Sequence, residues 1–264
     1  GLFYEKGYTG EKDIQKALYW YRKSADKGNV FAQYSLGYIY FTGIEVETDF
    51  EYAYKCYKEA ADQKFPPAQY ALSYLYKNGI GCEKNIFKAY YWLEASAEND
   101  FEDAFYIIGQ SYLDGLNIDK DYKKAYYYLS KGVGKKDENC LESLGDMYYK
   151  GLYVKKDIDK AFEYYNESMS QGNTKIYYKI GKLYEEENEI DKAFITFIKG
   201  HNNGDLKSSQ KLGIMYYNGE GVNKDEAKAL EYMKIAIKDE DHHSLYIIGT
   251  IYLEKKKKNG IEYL

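Results

Sequence analysis

Ala32–Gln63 reads AQYSLGYIYFTGIEVETDFEYAYKCYKEAADQ, and the rest of the chain repeats it with the anchor residues in register. From Ala68 it returns as AQYALSYLYKNGIGCEKNIFKAYYWLEASAEN, and from Ala104 as AFYIIGQSYLDGLNIDKDYKKAYYYLSKGVGK. Three slots hold the register. A small residue lies in the first apolar run at Gly37, Ser73, Gly109, Gly145, Gly181, Gly213 and Gly249. An alanine lies in the second run at Ala17, Ala53, Ala89, Ala125, Ala161, Ala193 and Ala229. A tyrosine follows the small slot by three residues at Tyr4, Tyr40, Tyr76, Tyr112, Tyr148, Tyr184, Tyr216 and Tyr252. Each series steps by 36 residues, with a single step of 32. A fixed period of this size means stacked supersecondary units.

Each repeat holds two helical runs. In Ala32–Thr42, Leu36, Ile39 and Tyr40 recur at spacings of three and four, with Ala32 one turn earlier, which is a helical stripe. Gly7, Gly43, Gly79, Gly115, Gly151 and Gly219 follow the first run, where glycine ends a helix. Asp13, Asp49, Asn85, Asp121, Asp157, Glu189 and Asp225 stand four residues before each slot alanine, where a short polar side chain caps a helix start. Glu189 is the poor member of that series. Glycine inside a helix costs about 0.5–1 kcal/mol. Its recurrence therefore points to close contact with the second helix, and the slot alanine is expected on the other side, with the slot tyrosine filling the space beside it.

Composition narrows the function classes. Tyrosine supplies 35 residues and proline only two, Pro66 and Pro67, placed where a helix would start. The net charge of −5 argues against general nucleic-acid binding, which needs a basic face. No apolar run is long enough for a transmembrane helix. Cys56, Cys82 and Cys140 share no spacing and read as free thiols, compatible with a reducing compartment. His201, His242 and His243 are the only histidines, and no nucleophile elbow, phosphate loop or zinc motif occurs. No catalytic residue, cofactor or metal ligand is expected.

The strings YFTGIEVETDFEYA, YKNGIGCEKNIFKA, YLDGLNIDKDYKKA, YYKGLYVKKDIDKA and YYNGEGVNKDEAKA carry a loop longer than that of a plain tetratricopeptide hairpin. With the small slot before them and aromatic pairs after them, they resemble the Sel-one-like repeat family along essentially the whole chain. GKLYEEENEIDKA lacks four loop residues, and only Trp20 and Trp92 supply the family's tryptophan. The resemblance implies an all-α, right-handed solenoid acting as a protein-interaction scaffold or adaptor, with the first helix of each repeat on the concave face. It is also the family of adaptors in membrane-associated protein quality control, cell-wall regulation and bacterial signalling. Its secreted branch with paired cysteines in every unit, linked to β-lactam binding, does not match. The expected organisation is one array with repeats at about 1–28, 29–64, 65–100, 101–136, 137–172, 173–204, 205–240 and 241–264. Both end repeats are partial, so a segment of a longer protein is expected.

Protein or peptide partners are expected on the first helices. Their N-terminal part is aromatic, with Phe31, Tyr34, Tyr38, Phe41, Tyr70, Tyr74 and Tyr106. The middle carries Glu142, Asp146, Lys179 and Lys182. The aromatic set reads either as a groove for a peptide or as packing between neighbouring first helices; Tyr38 and Tyr74 vary most between repeats and favour the groove. Glu185–Glu189 reads as a solvated turn or a cation or basic-peptide site, and Lys255–Lys258 as a solvent-facing loop or a contact for an anionic membrane or acidic partner. A spacer in a larger protein, or a solenoid that binds a small ligand or hydrolyses it, are the alternatives.

Overall fold

The computed structural model describes the backbone of residues 1–8, 10–237 and 242–261, with side chains except at 3, 243 and 254–261. Among them are fifteen α-helices and no strand. They pair as α1 (Leu2–Lys6) with α2 (Ile14–Ala25), α3 (Val30–Thr42) with α4 (Phe50–Asp62), and α5 (Pro66–Asn78) with α6 (Ile86–Glu98). There follow α7 (Glu102–Asp114) with α8 (Tyr122–Val133), and α9 (Glu138–Lys150) with α10 (Ile158–Ser170). A 3₁₀ turn at Thr174–Ile176 precedes α11 (Tyr177–Glu186) and α12 (Ile190–Asn202), and then come α13 (Leu206–Asn218), α14 (Glu226–Ala236) and α15 (His242–Ile261). The fold is a solenoid of stacked helical hairpins. Its contacts divide into two compact units, Gly1–Lys135 and Lys136–Leu264.

The helix starts follow from the capping residues. Asp13, Asp49, Asn85, Asp121, Asp157 and Asp225 each accept a backbone N–H of the first turn they precede. Glu189 makes no such bond, because its longer side chain overshoots the cap position. Pro66 occupies the first turn of α5, where its missing N–H leaves nothing unsatisfied.

A second bond fixes the hairpin loop. The carbonyl of the slot tyrosine accepts the N–H of the capping residue: Asp49 to Tyr40 at 3.0 Å, Asn85 to Tyr76 at 2.9 Å, Asp121 to Tyr112 at 3.1 Å, Asp157 to Tyr148 at 3.0 Å. In the short repeat Glu189 makes it to Tyr184 at 2.8 Å. Four residues are thus deleted without loss of the closing bond. The loop's second left-handed residue is Gly81 in one repeat, where an added Cβ would run into the Phe50 carbonyl of the preceding hairpin. The equivalent Glu45, Asn117 and Tyr153 also hold positive φ.

The core of a hairpin is a bulky side chain of the second helix laid on the small slot of the first. An added Cβ at Gly37 would lie 2.7 Å from the Tyr57 ring, at Gly109 2.7 Å from Leu129, and at Gly213 2.8 Å from Met233. At Gly145 and Gly181 it would overlap the rings of Tyr165 and Phe197. These partners lie four residues beyond the slot alanine. The expectation that the alanine itself faces the glycine is therefore corrected: the alanine is buried, but the next turn of the second helix supplies the contact. The slot tyrosines pack on second helices, as Tyr40 on Tyr52 (4.9 Å), Tyr76 on Tyr54 (5.7 Å), Tyr112 on Tyr128 (6.2 Å) and Tyr216 on both Phe194 (5.7 Å) and Tyr232 (5.6 Å). Tyr54 and Phe194 belong to the preceding repeat, so this tyrosine ties hairpin to hairpin.

The backbone of Lys255–Lys258 is helical within α15, not the loop expected, because Glu254 and four lysines present no glycine or proline to stop the run. Their side chains, like that of His243, lie outside the described residues, as do Glu262–Leu264 altogether.

Candidate functional site: the first-helix faces

In the N-terminal unit the expected aromatic residues split by burial. Tyr34 is half-buried between the rings of Tyr57 (5.5 Å) and Phe65 (5.4 Å), and Tyr70 packs on Phe101 at 5.2 Å. Burial raises the phenol pKa of both, with Tyr38 and Asp103 adding to it at Tyr34 and Asp103 at Tyr70. These two rings join neighbouring repeats. Phe31, Tyr38 and Tyr74 are 65%, 47% and 50% exposed. Phe41 is half-buried and bridges two repeats, edge-on to Phe50 at 6.0 Å and to Tyr74 at 6.1 Å. Tyr106 is half-buried on α7. The structure therefore brings Phe41 and Tyr74 together, and Phe31 and Tyr34 around Phe65 at 5.2 and 5.4 Å.

Beside Tyr74 lies a cavity of about 80 Å³ lined by Tyr70, Ser73, Tyr74, Lys77, Leu93 and Ile107. It exists where Ser73 takes the glycine slot over Leu93 instead of a ring. An engineered cavity of about 150 Å³ holds benzene, so this one suits a small aliphatic side chain.

The C-terminal unit presents charge at the same register. Lys179 Nζ lies 2.7 Å from Glu142 Oε1 and 2.7 Å from Asp146 Oδ2. The Tyr165 hydroxyl donates to Asp146 Oδ1 at 2.5 Å. Burial raises the Tyr165 pKa strongly, and Asp146 reinforces it, so the phenol stays protonated. Lys182 pairs with Glu185 at 2.9 Å, and Lys211 with the other oxygen of Glu185 at 2.8 Å. Glu186 accepts from the Tyr149 hydroxyl, and Glu189 pairs with Lys192 at 2.8 Å. The acid stretch Glu185–Glu189 is thus largely held by its own neighbours. Among the described residues no group of three His, Cys, Asp or Glu side chains could hold a metal ion.

His201 Nδ1 lies 3.0 Å from the Ser209 hydroxyl, and its ring stands edge-on to Tyr232 at 4.9 Å. Cys56, Cys82 and Cys140 are free, and burial raises the Cys56 pKa to about 11. No helix among the described residues is long and apolar enough to cross a membrane.

The sequence reading missed a second exposed aromatic set, on the second helices. Phe87 is 82% exposed and Tyr91 65%, and Tyr19, Trp20 and Tyr127 are about half exposed. The available signal was the residue two beyond the slot alanine, which is Tyr19, Tyr91 and Tyr127 in three repeats and Lys55, Glu163, Ile195 and Glu231 in the others.

The Sel1 repeat pattern matches residues 1–29, 30–65, 66–101, 103–133, 140–173 and 208–241. A crystal structure of a protective antigen present in uropathogenic Escherichia coli strains, with an SLR fold, superposes with a TM-score of 0.83 at 27% identity. That match covers 96% of this chain and 55% of the other. A Sel1 repeat protein from Oxalobacter formigenes superposes with a TM-score of 0.66 at 26% identity, over 84% of this chain and 93% of the other. A Sel1-like repeat-containing protein of Acanthamoeba polyphaga mimivirus is 51% identical over 41 residues, 16% of this chain and 8% of the viral protein. The chain thus spans about half of the Escherichia coli structure and a small part of the viral relative.

Proposed function

The chain belongs to the Sel1 repeat family, and from that premise we propose that it is a non-enzymatic interaction scaffold that takes a peptide or protein partner on the first helices of its N-terminal unit. One observation carries the reading: Phe31, Tyr38 and Tyr74 stay about half exposed or more on α3 and α5, while the flanking Tyr34 and Tyr70 are held between repeats. Rings fixed from beneath lose little entropy on binding, and tyrosine offers a wide apolar face with a polar tip. Phe41 against Tyr74 and the small cavity beside Tyr74 give this face relief into which a side chain can enter. The reading places the face on the concave side of the array. No residue reads as a catalyst: His201 is engaged by Ser209 and Tyr232, and Glu142, Asp146 and Glu185 are held in ion pairs.

The test is the double variant Tyr38→Ala/Tyr74→Ala in the full chain. Both rings are half exposed, so the melting temperature is expected to hold within a few degrees while retention of partner proteins on the immobilised protein is lost. A fall in melting temperature with the same proteins retained would assign these rings to packing. An array that retains no protein at all would fit a spacer.

A further inference from the structure

The charged face of the C-terminal unit has more positive charge than it uses. Two clefts, of about 250 and 420 Å³, adjoin across Tyr178 and Lys179, which line both. Their carboxylates are all committed. Asp146 takes Lys179 and the Tyr165 hydroxyl, and Glu142 takes Lys179 and the amide of Asn173 at 2.6 Å. Asp205 caps α13, accepting the Lys207 N–H at 3.2 Å and the Ser208 hydroxyl. Lys182 is paired with Glu185. Lys150, Lys175 and Lys207 are exposed, and among the described residues no carboxylate lies within ion-pair distance of them. Lys207 Nζ stands instead 5.9 Å from the Tyr178 ring centroid. Among the residues lining the two clefts the charge left without an ion pair or a hydrogen bond is positive, with Glu186 at the rim taken by the Tyr149 hydroxyl.

We propose that this double cleft docks an acidic peptide segment, with its carboxylates on Lys150, Lys175 and Lys207 and its chain across Tyr178. The spacing favours a peptide over a single small anion. Lys150 ends α9, whereas Lys175 stands in the 3₁₀ turn before α11 and Lys207 in the first turn of α13, so the lysines lie at opposite ends of the face. A helix of this length is roughly 20 Å long at 1.5 Å per residue. An extended segment of about six residues spans that distance. Lys207 stands against the Tyr178 ring, and the three lysines have no internal acid to displace, so pairing costs no existing ion pair.

The experiment titrates the full chain into a fluorescently labelled Glu/Asp-rich peptide and its Gln/Asn counterpart, by anisotropy, at low and raised salt. The acidic peptide is expected to bind, about tenfold or more tighter than the amide peptide, and to weaken as salt screens the contacts. Lys150→Gln/Lys175→Gln/Lys207→Gln is expected to lose about tenfold in affinity with an unchanged melting temperature, since these side chains hold no internal ion pair. Equal binding of the two peptides, or unaltered binding by the triple variant, would overturn the proposal. So would tighter binding of a short single-stranded DNA through the same lysines, which would make the face a general polyanion site. The variant Tyr38→Ala/Tyr74→Ala is expected to keep acidic-peptide binding, so the two proposals stand or fall separately.

Discussion

An alanine at Gly145 would drive its Cβ into the Tyr165 ring. Gly145→Ala is therefore expected to destabilise by about 1–3 kcal/mol through overpacking, read by urea unfolding. The recurrence of the small residue was legible in the sequence, but its partner was not: the periodic alanine drew the eye, while the contacting residue varies among Tyr57, Leu129, Tyr165, Phe197 and Met233. Glu94 gives a pH-dependent case. Burial raises its pKa, but the Lys124 ammonium at 2.9 Å and the hydroxyls of Tyr112 at 2.8 Å and Tyr128 at 3.1 Å outweigh this and leave it lowered. Its contribution is present above the unfolded carboxylate pKa of about 4.3 and is lost as pH falls through the lower folded value. Glu94→Gln is expected to lower the melting temperature at neutral pH and to have no effect in strong acid, measured by thermal unfolding across pH.

At the scale of the element, the second helices begin where a short acceptor stands, α12 excepted, while α5, α7 and α11 start without a side-chain cap; helix ends fall where the chain can turn left-handed. The sequence displays the first rule at the second helices, because Asp and Asn stand at a fixed slot. Glu189→Asp is expected to raise stability by about 0.5–1 kcal/mol by supplying the missing cap to α12, read by thermal unfolding. The second rule is only half visible. Gly28, Gly172 and Gly204 mark the turn between hairpins, but Lys64, Asp100 and Lys136 hold the same left-handed conformation with side chains attached. Lys64→Gly is expected to stabilise by about 1 kcal/mol, since Lys64 is exposed at φ 62° and makes no ion pair. The closing bond from the cap residue to the slot tyrosine carbonyl explains why the loop tolerates the loss of four residues at Glu185–Glu189. No side-chain pattern reports such a backbone bond.

For the molecule as a whole, periodicity made the fold class readable, because every repeat restates the same packing problem. The proposed interaction surface was less readable. A repeat shows which residues are constant, and constancy here marks packing, as at Tyr34 and Tyr70; exposure falls on the residues that vary, as at Tyr38 and Tyr74. The second helices compete for the same role, with Phe87 and Tyr91 more exposed than any ring of the first helices but Phe31 in the N-terminal unit. The most direct measurement is therefore site-specific photocrosslinking in the full chain, with a photoreactive phenylalanine analogue placed at Tyr38, Tyr74, Phe87 or Tyr91 in turn. Crosslinked partner bands from Tyr38 and Tyr74, with none from Phe87 and Tyr91, is the result expected of a first-helix interaction face. Bands from Phe87 and Tyr91 alone would contradict it.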